Sequence, residues 1–345
     1  MQFQHLYEGA LSLLKQLIAT PSYSKEEAQT ASIIEDFLRK NGVEFTRTDN
    51  NVWARNLHFD GNLPTILLNS HHDTVRPNSG YIRDPFEPAV ENGRFYGLGS
   101  NDAGGALVSL LATFIHFYTL KNLRYNLLIA LTAEEEISGS GGLEKVLPDL
   151  GLLDFAIVGE PTGMNLDCIV RGKAGHAARE EGDNAIYKAL PVLDWFKTYR
   201  FPRKSEIFGE IKMSVTIISA GTQHNVVPES CKFTVDIRVT DAYSHEELME
   251  IIRLESGAEI LARSTRLKSS SIPEIHPIVK AGIAAGRKTY GSPTTSDQSL
   301  LSIPSLKVGP GESARSHSAD EFILEQEIKD GISIYISMLH KLLIS

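Results

Sequence analysis

Two histidines and five acidic residues stand at points of the sequence where metal chemistry would need them. Each follows a short apolar run or a glycine-rich turn, and together they are His71, Asp73, Asp102, Glu135, Glu136, Glu160 and His317. Imidazole nitrogens and carboxylate oxygens are donors that zinc and similar borderline metals accept. A set this rich in carboxylates can hold two ions that share one bridging group. Two such ions polarise a carbonyl oxygen and activate water, so the pattern predicts hydrolysis of an amide.

Each of these residues, taken alone, also has a purely structural interpretation. A lone His71 is more often an ordinary hydrogen-bonded histidine, and the acidic run at residues 134–136 is usually a solvated loop or helix start. Asp102 could simply cap the helix that follows it. The joint placement of the residues at strand ends and at one Gly-rich turn favours a metal site over coincidence.

The segments around these residues predict an α/β fold. Residues 65–70 are an apolar run that ends at His71, and the two-residue period of a strand directs His71 and Asp73 to one side. Further buried strands are expected at residues 125–132 and 155–158, and acidic residues follow each of them. Strands that alternate with helices and end in polar groups place the site at the strand ends. The other predicted elements are helices at residues 6–19, 103–120, 278–288 and 324–343, a helix that starts at the cap-like residues 22–27 and runs through Leu38, a hairpin at residues 44–56, and a strand at residues 305–308.

A second domain is expected at residues 166–271, inserted into a first domain of residues 1–165 and 272–345. The chain has 345 residues, which is long enough for two hydrophobic cores. The predicted order within the insert is strand, helix, strand, strand, helix, strand, which matches a ferredoxin-like β-α-β-β-α-β module. These elements are predicted at residues 166–171, 184–199, 212–220, 232–239, 244–254 and 258–267.

Composition limits the possible partners and the cellular compartment. The formal net charge of −9 disfavours binding of nucleic acid or anionic membrane through bulk charge. Cys168 and Cys231 are far apart in the sequence, which argues against a disulfide framework and against a thiolate zinc site. Residues 1–20 read as an amphipathic helix rather than a signal peptide, and no apolar run approaches the roughly 20 residues of a membrane helix. We therefore expect a cytoplasmic protein.

The motifs, in their order along the chain, resemble those of the di-zinc aminoacylase/carboxypeptidase family of metallohydrolases. This family includes acetylornithine deacetylase, succinyl-diaminopimelate desuccinylase, aminoacylase-1 and glutamate carboxypeptidase. The resemblance covers nearly the whole chain. It rests on Ser70-His71-His72-Asp73-Thr-Val75, Gly97-Leu-Gly99-Ser-Asn-Asp102-Ala-Gly104-Gly105, Glu135-Glu136, Gly159-Glu160-Pro161-Thr162, Arg171-Gly-Lys-Ala-Gly175-His176-Ala, and His317 with Glu321.

The resemblance implies a role for each candidate residue. One Zn²⁺ would be held by His71 and Glu160 and a second by Glu136 and His317, with Asp102 bridging both and Co²⁺ able to substitute. Asp73 would support His71 without touching metal. Glu135 would be the general base, which takes a proton from the attacking water and passes it to the leaving amine. The implied fold is a mixed-sheet, zinc-peptidase-like catalytic domain with an inserted ferredoxin-like lid and dimerisation domain.

Three residues of the insert are implied in substrate binding. His176 would stabilise the tetrahedral oxyanion, in its own subunit or in the neighbouring one. Asn225 would be another such contact, and Arg238 could clamp a substrate carboxylate or be an ordinary strand charge. The sequence departs from the family pattern at Gly104, where a lysine is common, and in a short connection between Glu160 and the insert.

We therefore expect a homodimeric, two-domain metallohydrolase that removes an N-acyl group from a small amino acid. Several short motifs look most like the acetylornithine deacetylase branch, which implies N2-acetyl-L-ornithine as substrate and arginine biosynthesis as the pathway. N-acetylcitrulline and N-succinyl counterparts remain alternatives, as does a di- or aminopeptidase with the same metal chemistry. A non-catalytic binding protein is a further alternative, which the complete set of ligands and base disfavours.

Overall fold

The computed structural model describes residues 2–159, 165–171, 175–176, 183–205, 209–221, 226–240, 242–262, 272–289 and 296–344. For residues 2, 165–171, 175–176 and 261–262 the backbone alone is described. The chain divides into two compact units. Unit 1 comprises Met1–Pro161, Ser270–Thr289 and Ser296–Ser345, and unit 2 comprises Thr162–Ser269 and Tyr290–Thr295.

The described residues form eight α-helices and fifteen strands. The helices are α1 (Gln2–Ile18), α2 (Ala28–Lys40), α3 (Gly105–Tyr118), α4 (Leu143–Leu150), α5 (Ala185–Thr198), α6 (His245–Ser256), α7 (Pro277–Ala284) and α8 (Glu325–Leu343). The strands are β1 (Thr46–Thr48), β2 (Asn51–Arg55), β3 (Thr65–His71), β4 (Ala89–Glu91), β5 (Arg94–Tyr96), β6 (Asn126–Thr132), β7 (Phe155–Val158), β8 (Asn165–Arg171), β9 (Gly175–His176), β10 (Lys212–Ala220), β11 (Val226–Val227), β12 (Ser230–Arg238), β13 (Glu259–Ala262), β14 (Ser305–Lys307) and β15 (Phe322–Leu324). Among the described residues, every helix is too short or too polar to cross a bilayer.

Unit 1 is built on a mixed six-stranded sheet with the strand order β1-β2-β6-β3-β7-β14. Strands β6, β3, β7 and β14 are parallel neighbours, while β1 and β2 add an antiparallel hairpin at one edge. The chain leaves β3 for β6 on one side and then returns to β7 on the other side. The carboxyl end of β3 therefore lies at a switch point of the sheet, which is where α/β proteins bind ligands. This architecture confirms the predicted α/β class and its mixed sheet.

All seven residues of β3 are buried, because both faces of the sheet are covered there. Ile66 and Leu68 belong to a large cluster that includes side chains of α1, α2, α3, α7 and α8. Leu67 belongs to a second cluster with Leu143 and Val146 of α4. A strand covered on both faces is held rigidly, and its last residue is therefore a fixed point for a functional side chain.

Two parts of unit 1 differ from the sequence prediction. Helix α2 begins only at Ala28, and Ser24 does not cap it because the Ser24 hydroxyl donates instead to the Asp73 carboxylate. The predicted long connection after residue 76 contains β4 and β5, which form an antiparallel sheet with β15. These strands have three residues each, which is too short for a two-residue period to stand out in the sequence.

Unit 2 contains a four-stranded antiparallel sheet with the order β10-β12-β8-β13. Helix α5 precedes β10 and helix α6 precedes β13, so the predicted strand and helix order of the insert is observed. Phe233 and Val235 of β12 are buried in the same cluster as Phe196 of α5 and Ile252 of α6. Helix α6 starts with a capping box between Ser244 and Glu247, as the predicted start at residue 244 indicates.

Candidate metal centre

His71 is the last residue of β3, and its imidazole is fully buried. Its Nε2 atom lies 3.6 Å from Asp102 Oδ1 and 3.7 Å from Glu135 Oε2. Its Nδ1 atom lies 3.0 Å from the Asp73 carbonyl oxygen and 3.2 Å from Asp73 Oδ1. Acceptors on the Nδ1 side favour the tautomer that carries hydrogen there, which leaves the Nε2 lone pair directed at the acidic cluster.

The Asp73 carboxylate is buried and connects three segments of the chain. It accepts hydrogen bonds from the Ser24 hydroxyl at 2.6 Å and from the backbone N–H groups of Glu135 and Glu136, each at 3.1 Å. Burial alone would raise the pKa of Asp73, but the hydrogen bonds from His71, Ser24 and the backbone lower it below its ordinary value. Asp73 therefore fixes both the ring of His71 and the start of the acidic loop.

Asp102 lies in an irregular turn, Ser100–Gly104, that leads into α3. Its backbone is extended, with φ −119° and ψ 96°. At Gly104, a Cβ atom would lie 2.4 Å from the Gly99 carbonyl oxygen and 2.7 Å from Leu14 Cδ1. A lysine at position 104, as is common in the family pattern, would therefore require this turn to take another path.

His317, together with Glu136, completes the cluster at the second carboxylate oxygen of Asp102. His317 Nε2 lies 3.1 Å from Glu136 Oε2 and 3.4 Å from Asp102 Oδ2. The hydrogen bond to Glu136 raises the pKa of His317 to about 9, with further contributions from nearby carboxylates. Burial raises the pKa of Glu136, although the hydrogen bond from His317 opposes the rise. Asp102 thus presents one oxygen to His71 and the other to His317.

The donors present fit a divalent metal. One ligand atom each from His71, Asp102 and Glu136 can be chosen so that all three lie within 4.8 Å of one another. Both carboxylate oxygens of Asp102 are buried and have no hydrogen-bond partner among the described residues. A buried carboxylate that accepts no hydrogen bond is costly even beside the His317 imidazole, and a bound metal ion would offset that cost. Two ligands about 2 Å from a tetrahedral zinc ion lie roughly 3.3 Å apart, which is close to the distances between Asp102 and the two histidines.

A model of peptidase family M20/M25/M40 matches residues 67–341 of the chain. The chain belongs to this family. A succinyl-diaminopimelate desuccinylase of Corynebacterium glutamicum is 29% identical over 355 residues, covering 93% of this chain and 94% of that protein. A putative succinyl-diaminopimelate desuccinylase of Mycobacterium tuberculosis is 31% identical over 338 residues, covering 90% and 92% of the two chains. An M20 family metallo-carboxypeptidase from Sulfolobus solfataricus has the same fold, with a TM-score of 0.76, 19% identity, and coverage of 96% and 98%.

These comparisons confirm that the chain is a metal-dependent hydrolase of the M20/M25/M40 family. They do not support the acetylornithine deacetylase branch, because the two curated relatives carry the name of a desuccinylase. Residues 99–104, one of the short motifs that suggested this branch, contain Asp102 of the metal centre. The reaction determines which residues hold the metal. These residues therefore carry little information about the acyl group of the substrate.

The remaining predicted site residues of this M20/M25/M40 hydrolase lie at the edge of the described chain or beyond it. Glu160 and Asn225 lie outside the described residues. His176 is described in its backbone alone, which pairs with Val226 in the β9–β11 ladder. Arg238 donates from Nη2 to Asp236 Oδ2 at 2.8 Å, so its guanidinium is engaged by a carboxylate of its own strand. Its predicted contact with a substrate carboxylate stays a prediction.

The sequence analysis assigns no role in the site to several residues that support it, although Glu321 stands in one of the family motifs. Thr132 at the end of β6 donates a 2.7 Å hydrogen bond to the buried Asp297 Oδ2, and burial raises the pKa of Asp297 to about 6. Burial and the Asp102 carboxylate raise the pKa of Glu321 to about 8, while three backbone N–H groups oppose the rise. Ser24 reaches Asp73 from a segment distant in sequence. Each acts through a contact that only the fold creates.

Proposed function

We propose that this protein hydrolyses the amide bond of an N-acyl amino acid with the help of two divalent ions. The observation that carries the proposal is the position of Asp102, whose Oδ1 faces His71 at 3.6 Å and whose Oδ2 faces His317 at 3.4 Å. A carboxylate with a different imidazole at each oxygen suits a group shared by two ions. We propose zinc as the metal, with cobalt able to substitute, and Glu160 as a further ligand to the ion at His71.

Metal ions at these donors would polarise the scissile carbonyl and make a nearby water more acidic. Glu135 is then the general base, which takes the proton of the attacking water and returns it to the leaving amine. The two Asp73 hydrogen bonds to the backbone of residues 135 and 136 support this division of duties. They hold the adjacent carboxylates in fixed directions, so that Glu136 can face His317 while Glu135 stays near His71. His176 and Asn225 are the proposed contacts to the oxyanion, and Arg238 to a substrate carboxylate.

The substrate that we rank first is N-succinyl-diaminopimelate. Relatives that bear the name succinyl-diaminopimelate desuccinylase match about nine-tenths of the chain at 29% and 31% identity, which supports an N-succinyl group. N-acetylornithine, the substrate suggested by the short motifs, ranks second. Dipeptides rank third because the same metal chemistry cleaves them.

We also propose a homodimer formed through unit 2, with this unit acting as a lid. Strand β10 pairs with β12 alone among the described strands, so its other edge is open to a second copy. Ile217 and Ile218 of this strand are 61% and 56% exposed. Tyr187 and Leu190 of α5 are also exposed, at 71% and 56%. Exposed apolar side chains on an open edge strand are typical of a surface that pairs with another chain.

A cytoplasmic location is in keeping with the buried, unpaired Cys231.

A panel of substrates tests the proposed function. Chelator-treated protein is assayed with and without added zinc on N-succinyl-diaminopimelate, N-acetylornithine, N-acetylcitrulline and a dipeptide with a free amine. We expect metal-dependent turnover of an acylated amino acid, with the succinyl compound fastest. Cleavage of the dipeptide alone would establish a peptidase instead. Zinc-loaded protein that turns over no amide would contradict the proposal and favour a binding protein.

A further inference from the structure

Glu321 has a buried carboxylate that no step of the proposed reaction uses. Its side chain is 1% exposed and accepts three backbone hydrogen bonds from the turn that carries Asp102. Oε1 accepts from the N–H groups of Asn101 at 2.8 Å and Asp102 at 2.9 Å, and Oε2 accepts from Gly99 at 3.2 Å. The carboxylate therefore holds the backbone of the bridging residue directly.

Further contacts join the same two segments, residues 97–102 and residues 312–321. The Glu321 carbonyl oxygen accepts from the Gly97 N–H at 3.0 Å. The Asn101 side chain accepts from the Glu312 N–H at 3.1 Å and donates to the Glu312 carbonyl oxygen at 3.1 Å. It also donates to Ser316 Oγ at 3.2 Å, one residue before His317. The two segments are thus tied together on both sides of His317.

The backbone of His317 also needs such support. Its φ is 56°, in the left-handed region that non-glycine residues enter at some cost. The Asn78 side chain donates to the His317 carbonyl oxygen at 3.1 Å. A histidine in this conformation keeps its place only when the surrounding contacts fix it. Glu321 is the buried carboxyl group among them.

We propose that Glu321 is a positioning residue, which sets the distance between Asp102 and His317 and therefore the affinity for the metal that they share. The proposal rests on the proposed function, since it assumes a metal at these two side chains. A carboxylate suits this task because its two oxygens can accept all three N–H groups, whereas an amide offers one oxygen and brings two new donors. General packing would be served as well by an apolar residue.

Metal binding by Glu321→Gln tests the proposal. The amide nitrogen must face at least one backbone N–H, so the turn shifts and Asp102 moves relative to His317. We expect the affinity for the weaker of two cobalt equivalents to fall about 10–100-fold, as for other groups that support metal ligands. We also expect a changed visible absorption band of the cobalt-loaded protein. Affinity is measured by competition with a chromophoric chelator, well below the melting temperature.

Asp154→Ala is the control. Asp154 Oδ2 accepts from the Thr65 N–H at 2.7 Å at the start of β3, the end opposite His71. This variant also removes a carboxylate that holds a backbone N–H, and we expect it to melt earlier with wild-type cobalt affinity and spectrum. If cobalt affinity and spectrum change in Glu321→Gln alone, the cause is the position of the metal ligands and not a loss of general stability.

Glu321→Asp covers the case in which the glutamine variant does not fold. It keeps the charge but is one methylene shorter, so it cannot reach all three N–H groups, and we expect an affinity between those of wild type and the glutamine variant. Either variant, folded and with wild-type cobalt affinity and spectrum, overturns the proposal. Wild-type protein that binds two metal ions but hydrolyses no amide would contradict the proposed function. It would leave the proposal for Glu321 intact, because the Glu321 test measures metal binding and not turnover.

Discussion

Replacing Asp73 by asparagine should loosen the metal centre without altering the shape of any side chain. The Asp73 carboxylate accepts from four donors, namely the Ser24 hydroxyl, the N–H groups of Glu135 and Glu136, and His71 Nδ1. Each oxygen serves one backbone N–H. An asparagine amide, in either orientation, must therefore place its NH₂ group against one of these two N–H donors.

The size of the effect follows from these contacts. A hydrogen bond to a charged group contributes about 1.5–3 kcal/mol, and a buried N–H without an acceptor costs about 1–3 kcal/mol. Relief of the desolvation of the carboxylate offsets part of this sum, so we expect a loss of about 3 kcal/mol in the free energy of unfolding. At about 2–4 °C per kcal/mol, the melting temperature should fall by roughly 6–12 °C. Zinc affinity should fall about 10–100-fold because His71 Nδ1 loses the carboxylate beside it and keeps only the Asp73 carbonyl oxygen as acceptor.

Ser24→Ala is the control for this variant. It removes one donor to Asp73 and leaves the other three contacts in place. We expect a loss of about 1.5 kcal/mol and little change in zinc affinity. Both variants are melted as metal-free protein by calorimetry, and zinc affinity is measured separately by chelator competition. If Asp73→Asn matches Ser24→Ala in both measurements, Asp73 does not organise the site.

The pH dependence of this difference has a definite sign. The pKa of Asp73 is lowered in the folded protein, so its contribution to stability is present above the unfolded pKa and is lost as pH falls through the folded pKa. The gap in the free energy of unfolding between wild type and Asp73→Asn should be constant near neutral pH. It should narrow below pH of about 4, the ordinary aspartate pKa. A gap that widens on acidification would show that Asp73 is protonated in the fold.

Three further predictions concern the base, the second histidine and the dimer. Glu135→Gln should keep its zinc, measured by mass spectrometry, and lose about 10²–10⁴-fold in turnover, and a surviving rate would refute its role as base. Because the pKa of His317 is raised to about 9, metal must displace its proton. Metal affinity should therefore increase with pH up to about 9, and calorimetry in buffers of different ionisation enthalpy should detect proton release. Ile217→Lys, at a residue that is 61% exposed on β10, should yield monomers by light scattering, and an intact dimer would exclude this edge.

The sequence predicts the order of elements well because burial imposes clear patterns on it. β3 contains the apolar run of residues 66–68 since both faces of the sheet are covered, and β7 has the predicted bounds, residues 155–158. The hairpin β4–β5 is not predicted because three-residue strands carry no period. The start of α2 is predicted too early, since Ser24 bonds to Asp73 across the fold rather than to its own helix.

The candidate site, like the fold, is predicted from the sequence only in part. Residue type and position at strand ends predict that His71, Asp102, Glu136 and His317 lie together, and the structure brings them within hydrogen-bonding or near-contact distances. Of the groups that hold them, Asp73 is predicted because it lies two residues from His71, whereas groups that are distant in sequence are not assigned this task. Glu321 reaches the turn of Asp102 across about 220 residues of sequence, a contact that no local pattern encodes.

The most direct measurement is the rate of N-succinyl-diaminopimelate hydrolysis as zinc is added back to chelator-treated protein, with bound zinc determined in the same samples. The proposed metal centre predicts a rate near zero without metal, which rises as zinc binds at His71, Asp102, Glu136 and His317. The wild-type and Glu135→Gln proteins should bind equal amounts of zinc, and only the wild type should turn over. Undiminished turnover without metal, or none of any acyl amino acid at full zinc occupancy, would contradict the account.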